Sequence, residues 1–257
     1  MIGDLIQILL LLVCVVVCFR YARQAEDKLW LIFSALAASA MLISDVYYLT
    51  HSFLLEGIRI PFAANDIADF GFFLLLSTAL NSAIGAGRRK HLPVFIGAAV
   101  FAAANVALWI AWSGEWLRDI LGGFSFGWYV CAAIRSVYLT EALPRRERTF
   151  LWAVSALLIA VQTAVFFAPE PLKGILDKSA ATGLMGVSEL LLLVRTVLAL
   201  RRPGLTDAAL SLSFTGFCWC CLSMYMSAVP LYDVFSYLCT LHILLMLLAI
   251  RKKVKTA

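Results

Sequence analysis

Two acidic residues stand where acids are hardest to keep. Glu189 lies near the middle of the apolar run over 180–200, and Asp45 lies late in the run over 29–49. A carboxyl group in hydrocarbon must be protonated, paired with a base, or wet. Two carboxyls with separated proton affinities can serve as general acid and general base. Asp45 and Glu189 are therefore the candidate catalytic pair. Asp69 and Asn65 are four residues apart, so they share a helix face. With Tyr48, or Tyr47 beside it, they would line an outward polar pocket near Asp45. His242 and Arg195 complete the candidate ligand-binding residues. Each also has a plainer reading, His242 as a core histidine bonded to a neighbouring helix and Arg195 as a cation snorkelling to the inner interface, like Arg135.

Other polar residues in apolar runs have structural explanations. Asp66, Asp119 and Asp233 sit early in their runs, where a carboxylate caps free N–H groups and faces the helix dipole favourably. Asn105 and Gln162 are expected to hydrogen-bond between helices. The seven cysteines all lie in apolar runs. The stretch Cys218-Trp-Cys-Cys221 lacks the paired spacing of the usual metal motifs, and no histidine is near it in sequence. The cysteines are read as small buried hydrophobes, with no metal, no cofactor and no disulfide expected. The chain has no H-E-x-x-H, no Walker motif and no G-x-S-x-G, and no lysine lies in mid-run to carry a Schiff base.

The elements that must position these residues follow from composition. Of 257 residues, 63% are hydrophobic and 14% charged; a soluble domain carries roughly 25% charge. The apolar residues recur in runs of roughly 17–24, the length that crosses a hydrocarbon core about 30 Å thick. Backbone groups in lipid need internal partners, so such runs are helices. The spans read as 2–19, 29–49, 62–84, 92–113, 117–139, 150–168, 180–200, 208–228 and 232–250. The expected fold is all-α: one integral-membrane domain over residues 1–257, a bundle of about nine transmembrane helices.

Charge sets the orientation. Fifteen of the 21 Lys and Arg fall in alternate loops and at the C-terminal end, including Arg88, Arg89 and Lys90 and the basic run from Arg251. The opposite loops hold Arg59, Arg118, Lys173 and Lys178. The positive-inside rule then places the N-terminus outside and the C-terminus in the cytoplasm. The first apolar run has Asp4 before it and Arg20 and Arg23 after it, the reverse of a signal peptide, so it reads as a retained helix. The expected location is the inner (plasma) membrane of a bacterial-type cell. The net charge of +5 lies in short loops, which excludes a nucleic-acid surface. Gly123-Phe-Ser-Phe-Gly127 is a GxxxG pattern, read as packing within the chain.

The sequence also echoes itself. Residues 41–49 and 185–193 both read M-x-[IV]-S-[DE]-[VL]-x-x-L, and the topology runs the two helices in opposite directions, as inverted repeats require. In these stretches Ser44-Asp45 and Ser188-Glu189 resemble the paired motifs of the YhhN-like lysoplasmalogenase family, polytopic enzymes that hydrolyse the vinyl-ether bond of lysoplasmalogens. Ser44 stands where that family has Gly, and Glu189 where it has Asp. The resemblance implies an intramembrane hydrolase with Glu189 as protonated acid and Asp45 as ionised partner. The residues by themselves favour another reading: binding, sensing or transport of a small molecule or lipid through the outward polar pocket. The bilayer is then the first partner, and a separate signalling protein would carry any output.

Overall fold

The computed structural model describes residues 2–54, 63–85, 92–113, 115–167, 170–225 and 231–256. Among these residues there is no strand. The described helices are α1 (Ile2–Ala22), α2 (Leu29–Leu54), α3 (Ala64–Ile84), α4 (Leu92–Ser113), α5 (Trp116–Leu139), α6 (Arg145–Phe167), α7 (Glu170–Arg201), α8 (Thr206–Tyr225) and α9 (Leu231–Thr256). Seven of them are long and apolar enough to cross a membrane. Large apolar side chains such as Leu9, Val16, Ile43 and Val100 point outward from the protein. A surface of that kind is solvated by lipid, not water. The chain is a multi-pass α-helical membrane protein.

Among the described residues this measure shows seven spans, and it does not establish the expected nine. α4, Leu92–Ser113, is 22 residues long and carries no charge. α6 opens on Arg145, Arg146, Glu147 and Arg148 and then runs on to Phe167 without a charged residue. Helix ends also differ from span ends. α2 continues to Leu54, and α7 begins at Glu170, where a loop over 169–179 was expected. α9 runs through its basic end to Thr256. Apolar runs mark where lipid begins and ends, whereas Lys, Arg and Glu are good helix formers that carry the helix past it. α8 is one continuous helix of 20 residues, about 30 Å at 1.5 Å per residue. It is therefore long enough to span and does not turn back midway. The loop between the expected spans 29–49 and 62–84 lies largely at 55–62, outside the described residues, as do Arg59, Arg88, Arg89, Lys90 and His91 and the side chains of Asn105, Gln162, Lys173 and Lys178.

The chain divides into two compact units. The first joins Met1–Ser136 to Ile250–Ala257. In it α2 packs against both α1 and α3. α3 starts with the Asp66 carboxylate accepting the Ala63 N–H at 2.9 Å, the capping role its position implied. It stops at Gly85, whose φ of 64° is the left-handed conformation that ends helices and favours glycine. Phe73 of α3 stacks on Tyr129 of α5 and meets Phe126 edge-on, with ring centroids 5.8 and 5.2 Å apart. The GxxxG face of α5 lies on α4: a Cβ added at Gly127 would strike Ala102, and one at Gly123 would strike Val106. The glycines thus serve close packing within the chain, as read from their spacing.

The second unit is Val137–Ala249. α7 packs on α8 and on α6. Every residue of α8 from Ala208 to Ser223 is buried. Two of its hydroxyls turn back onto their own helix, Ser213 to the Leu210 carbonyl at 2.9 Å and Thr215 to that of Ser211 at 2.8 Å. That local bond is how a hydroxyl is tolerated in a dry helix interior.

Candidate functional site

In the first unit, polar groups from three helices converge. Gln7 of α1 donates from Nε2 to Asp45 Oδ2 of α2 at 2.8 Å. Ser44, the buried neighbour of Asp45, donates to the Asn65 carbonyl of α3 at 3.5 Å and lies against the Asp69 carboxylate. Helical geometry explains the grouping. Asn65 and Asp69 stack one turn apart on α3, facing the stretch of α2 that carries Ser44 and Asp45. Asp66 points elsewhere, toward Arg118, whose Nε is 3.8 Å from Oδ1. Among the described residues neither Asp45 nor Asp69 is ion-paired with Lys or Arg. Tyr48 is 64% exposed and does not join the group. Tyr47 instead stacks on His51, at 5.8 Å between centroids.

The second unit holds a different cluster. Met185, Ser188, Glu189, Leu192 and Thr196 form the buried stripe of α7, while Val187, Leu190 and Val194 face out. The 3.6-residue period therefore turns Glu189 inward. On α9 the buried stripe is Phe235, Cys239, His242, Met246 and Ala249. Where the stripes meet, His242 Nε2 hydrogen-bonds Glu189 Oε1. Glu189 is 3% exposed and His242 0%. Cys220 of α8, also 0% exposed, completes a group whose ligand atoms all lie within 4.8 Å of one another. The outer atoms of the pair, Glu189 Oε2 and His242 Nδ1, have no hydrogen-bond partner among the described residues.

Arg195 stands apart from this cluster. It forms a two-pronged ion pair with Glu147 of α6, Nε to Oε2 at 2.8 Å and Nη2 to Oε1. Arg135 lies over the Phe95 ring at 5.7 Å. Asp45 and Glu189 belong to separate units, and each has its own partner, Gln7 and His242 respectively.

Sequence reasoning passed over Gln7, Cys220, Glu147 and Gly216. Gln7 had a signal: it is the one amide side chain in the apolar run of α1. Gly216 had none, for its role is to leave room. A Cβ there would lie 2.8 Å from His242 Nε2 and closer still to its Cε1 and Nδ1. Helix propensity alone would make Gly216→Ala stabilising by about 1 kcal/mol, but overlap in a packed core costs about 1–3 kcal/mol. The variant should therefore unfold at a lower temperature in detergent and show a shifted His242 ring resonance. Unchanged stability would mean the imidazole can move aside freely. Comparison of the chain with protein-family models, curated proteins and solved structures finds no match.

Proposed function

We propose that the protein binds a small molecule or lipid bearing a cationic, amine-type group at the junction of α1, α2 and α3, as the recognition step of sensing or transport. The observation that carries this reading is the convergence of Asp45 and Asp69 beside Ser44 and Gln7 without a Lys or Arg paired to either acid among the described residues. Carboxylates so placed are hydrogen-bond acceptors lacking a counter-charge, and an ammonium group supplies both charge and donors. With the orientation that the loop charges favour, the site opens to the outside of the plasma membrane. A response inside the cell would need a separate protein partner.

The test is thermal stabilisation of purified protein by ethanolamine, by a linear diamine and by lysophosphatidylethanolamine, with the matching uncharged alcohols as controls. Wild type should be stabilised by at least one amine and not by its alcohol. Asp45→Asn and Asp69→Asn should each weaken that binding tenfold or more, equivalent to about 1.4 kcal/mol. Equal responses to amine and alcohol, or variants that bind as wild type does, would sink the reading.

The second reading is the intramembrane lipid hydrolase resembling lysoplasmalogenase. It is favoured by the direct hydrogen bond between buried Glu189 and buried His242, which puts two proton-transfer groups side by side as acid–base work needs. Aldehyde release from a lysoplasmalogen, lost in both Asp45→Asn and Glu189→Gln, would establish it over amine binding.

A further inference from the structure

The Glu189–His242–Cys220 cluster presents a carboxylate, an imidazole and a thiol, one each from α7, α9 and α8, all buried. We propose that these three residues bind a divalent d-block metal ion, with zinc the ion they suit best. Nitrogen, sulfur and oxygen donors together are the ligand set of zinc. An all-oxygen site would point to magnesium or calcium instead.

Three further observations support the assignment. The first is charge. One carboxylate, one thiolate and one neutral imidazole carry two negative charges, and a divalent ion makes the cluster neutral. Neutrality is what a site sealed in a membrane protein requires. The second is unused bonding capacity. Glu189 Oε2 and His242 Nδ1 are buried with no hydrogen-bond partner among the described residues, so the pair does not satisfy itself. The third is space. Around a tetrahedral zinc, donors are separated by roughly 3.2–3.7 Å, given metal–ligand bonds of about 2.0–2.3 Å. The three donors already lie within 4.8 Å of one another, so small side-chain movements suffice. Gly216 leaves the His242 ring the room it occupies.

Binding replaces the Glu189–His242 hydrogen bond with two metal bonds. It releases to solvent the proton held between that pair and the thiol proton of Cys220. No electron transfer is involved. With three protein ligands the ion would tie three helices together and keep a fourth position for a water. The donors are separated by 31 and 22 positions in sequence, so no local spacing motif announces them.

The experiment uses the full chain purified in detergent without chelator. Elemental analysis should find one zinc per chain. Replacing zinc with cobalt should produce the thiolate-to-cobalt charge-transfer absorption that only a sulfur-ligated ion gives. Cys220→Ser should abolish that band, and His242→Gln and Glu189→Gln should lower the zinc content at least tenfold. Cys131→Ser, in the other unit, should change neither. Should a ligand variant fail to fold, the wild-type cobalt spectrum still decides. Folded wild type with neither bound zinc nor a charge-transfer band on adding cobalt would overturn the proposal, as would a band that survives in folded Cys220→Ser.

Discussion

Replacing His242 with leucine should lower the stability of the folded protein by about 3–5 kcal/mol, the cost of leaving one member of a buried pair alone. Leucine is close to histidine in volume, so a cavity contributes little. The cost comes from Glu189, which is 3% exposed and would lose the partner of its Oε1 while Oε2 has none among the described residues. The check is unfolding in mixed micelles, followed by tryptophan fluorescence with buried Trp219 as a local reporter. A companion variant sharpens the reading. In chelator-stripped protein, changing Glu189 to methionine together with His242→Leu should recover most of the loss, because an apolar pair needs no mutual bond. Given zinc, wild type should gain stability and the double variant should not. If the single and double variants are equally weak without metal, packing rather than polarity holds the site.

The second large effect is expected at Gly127. Alanine there gains about 1 kcal/mol of helix propensity and then meets the Cβ of Ala102, with the Ala102 Cα only 3.4 Å away. No rotation of an alanine relieves that contact, so α4 and α5 must separate. Between helices in lipid, close packing is a main source of attraction because apolar burial drives little. Gly127→Ala should therefore destabilise by about 1–3 kcal/mol, and Gly127→Leu should leave little folded protein. Ala102→Gly, introduced into Gly127→Ala, removes the struck atom and should restore most of the loss. Gly123→Ala should be milder than Gly127→Ala, since it meets a Val106 side chain whose Cβ is 3.3 Å away and whose methyl groups can turn. A Gly127→Ala protein as stable as wild type would show that α4 yields easily. Failure of Ala102→Gly to rescue would place the damage elsewhere.

The membrane class and helix order were legible because lipid imposes one rule on every span: apolar residues at a fixed length. What was lost depends on contacts between spans. Apolarity marked α2 as ending near Leu49, yet the helix runs on to Leu54, since nothing in Thr50 to Leu54 breaks it. Asp45 is thus well inside its helix, and it is held by Gln7 from a helix read only as an anchor. Arg195 looked like a ligand-binding or snorkelling cation. Its partner Glu147 sits in the first turn of α6, 48 positions away, which no short pattern connects. The cysteine run at 218–221 was judged by what lies near it in sequence, whereas His242 and Glu189 come to Cys220 from flanking helices. Within each helix, the 3.6-residue period turns Glu189 and His242 inward. Which inward residues meet depends on helix rotation and stagger, and these are set by small residues such as Gly216 whose importance lies in what they lack.

The burial of α8 bears on how the chain is made. Its apolar character is weaker than that of its neighbours, for Ser211, Ser213, Thr215 and Ser223 all lie in its buried interior. A segment of that composition gains little from leaving the translocon for bare lipid, where hydroxyls find few partners. α7 and α9 are greasier and flank it in the chain. Biosynthesis should therefore hold α8 at the insertion machinery until a neighbour arrives, so that the helices enter the bilayer together. Substitutions that stiffen or lengthen the short turn through Gly204, between α7 and α8, would then show first as slow maturation and early proteolysis. Their mark on the finished protein would be smaller.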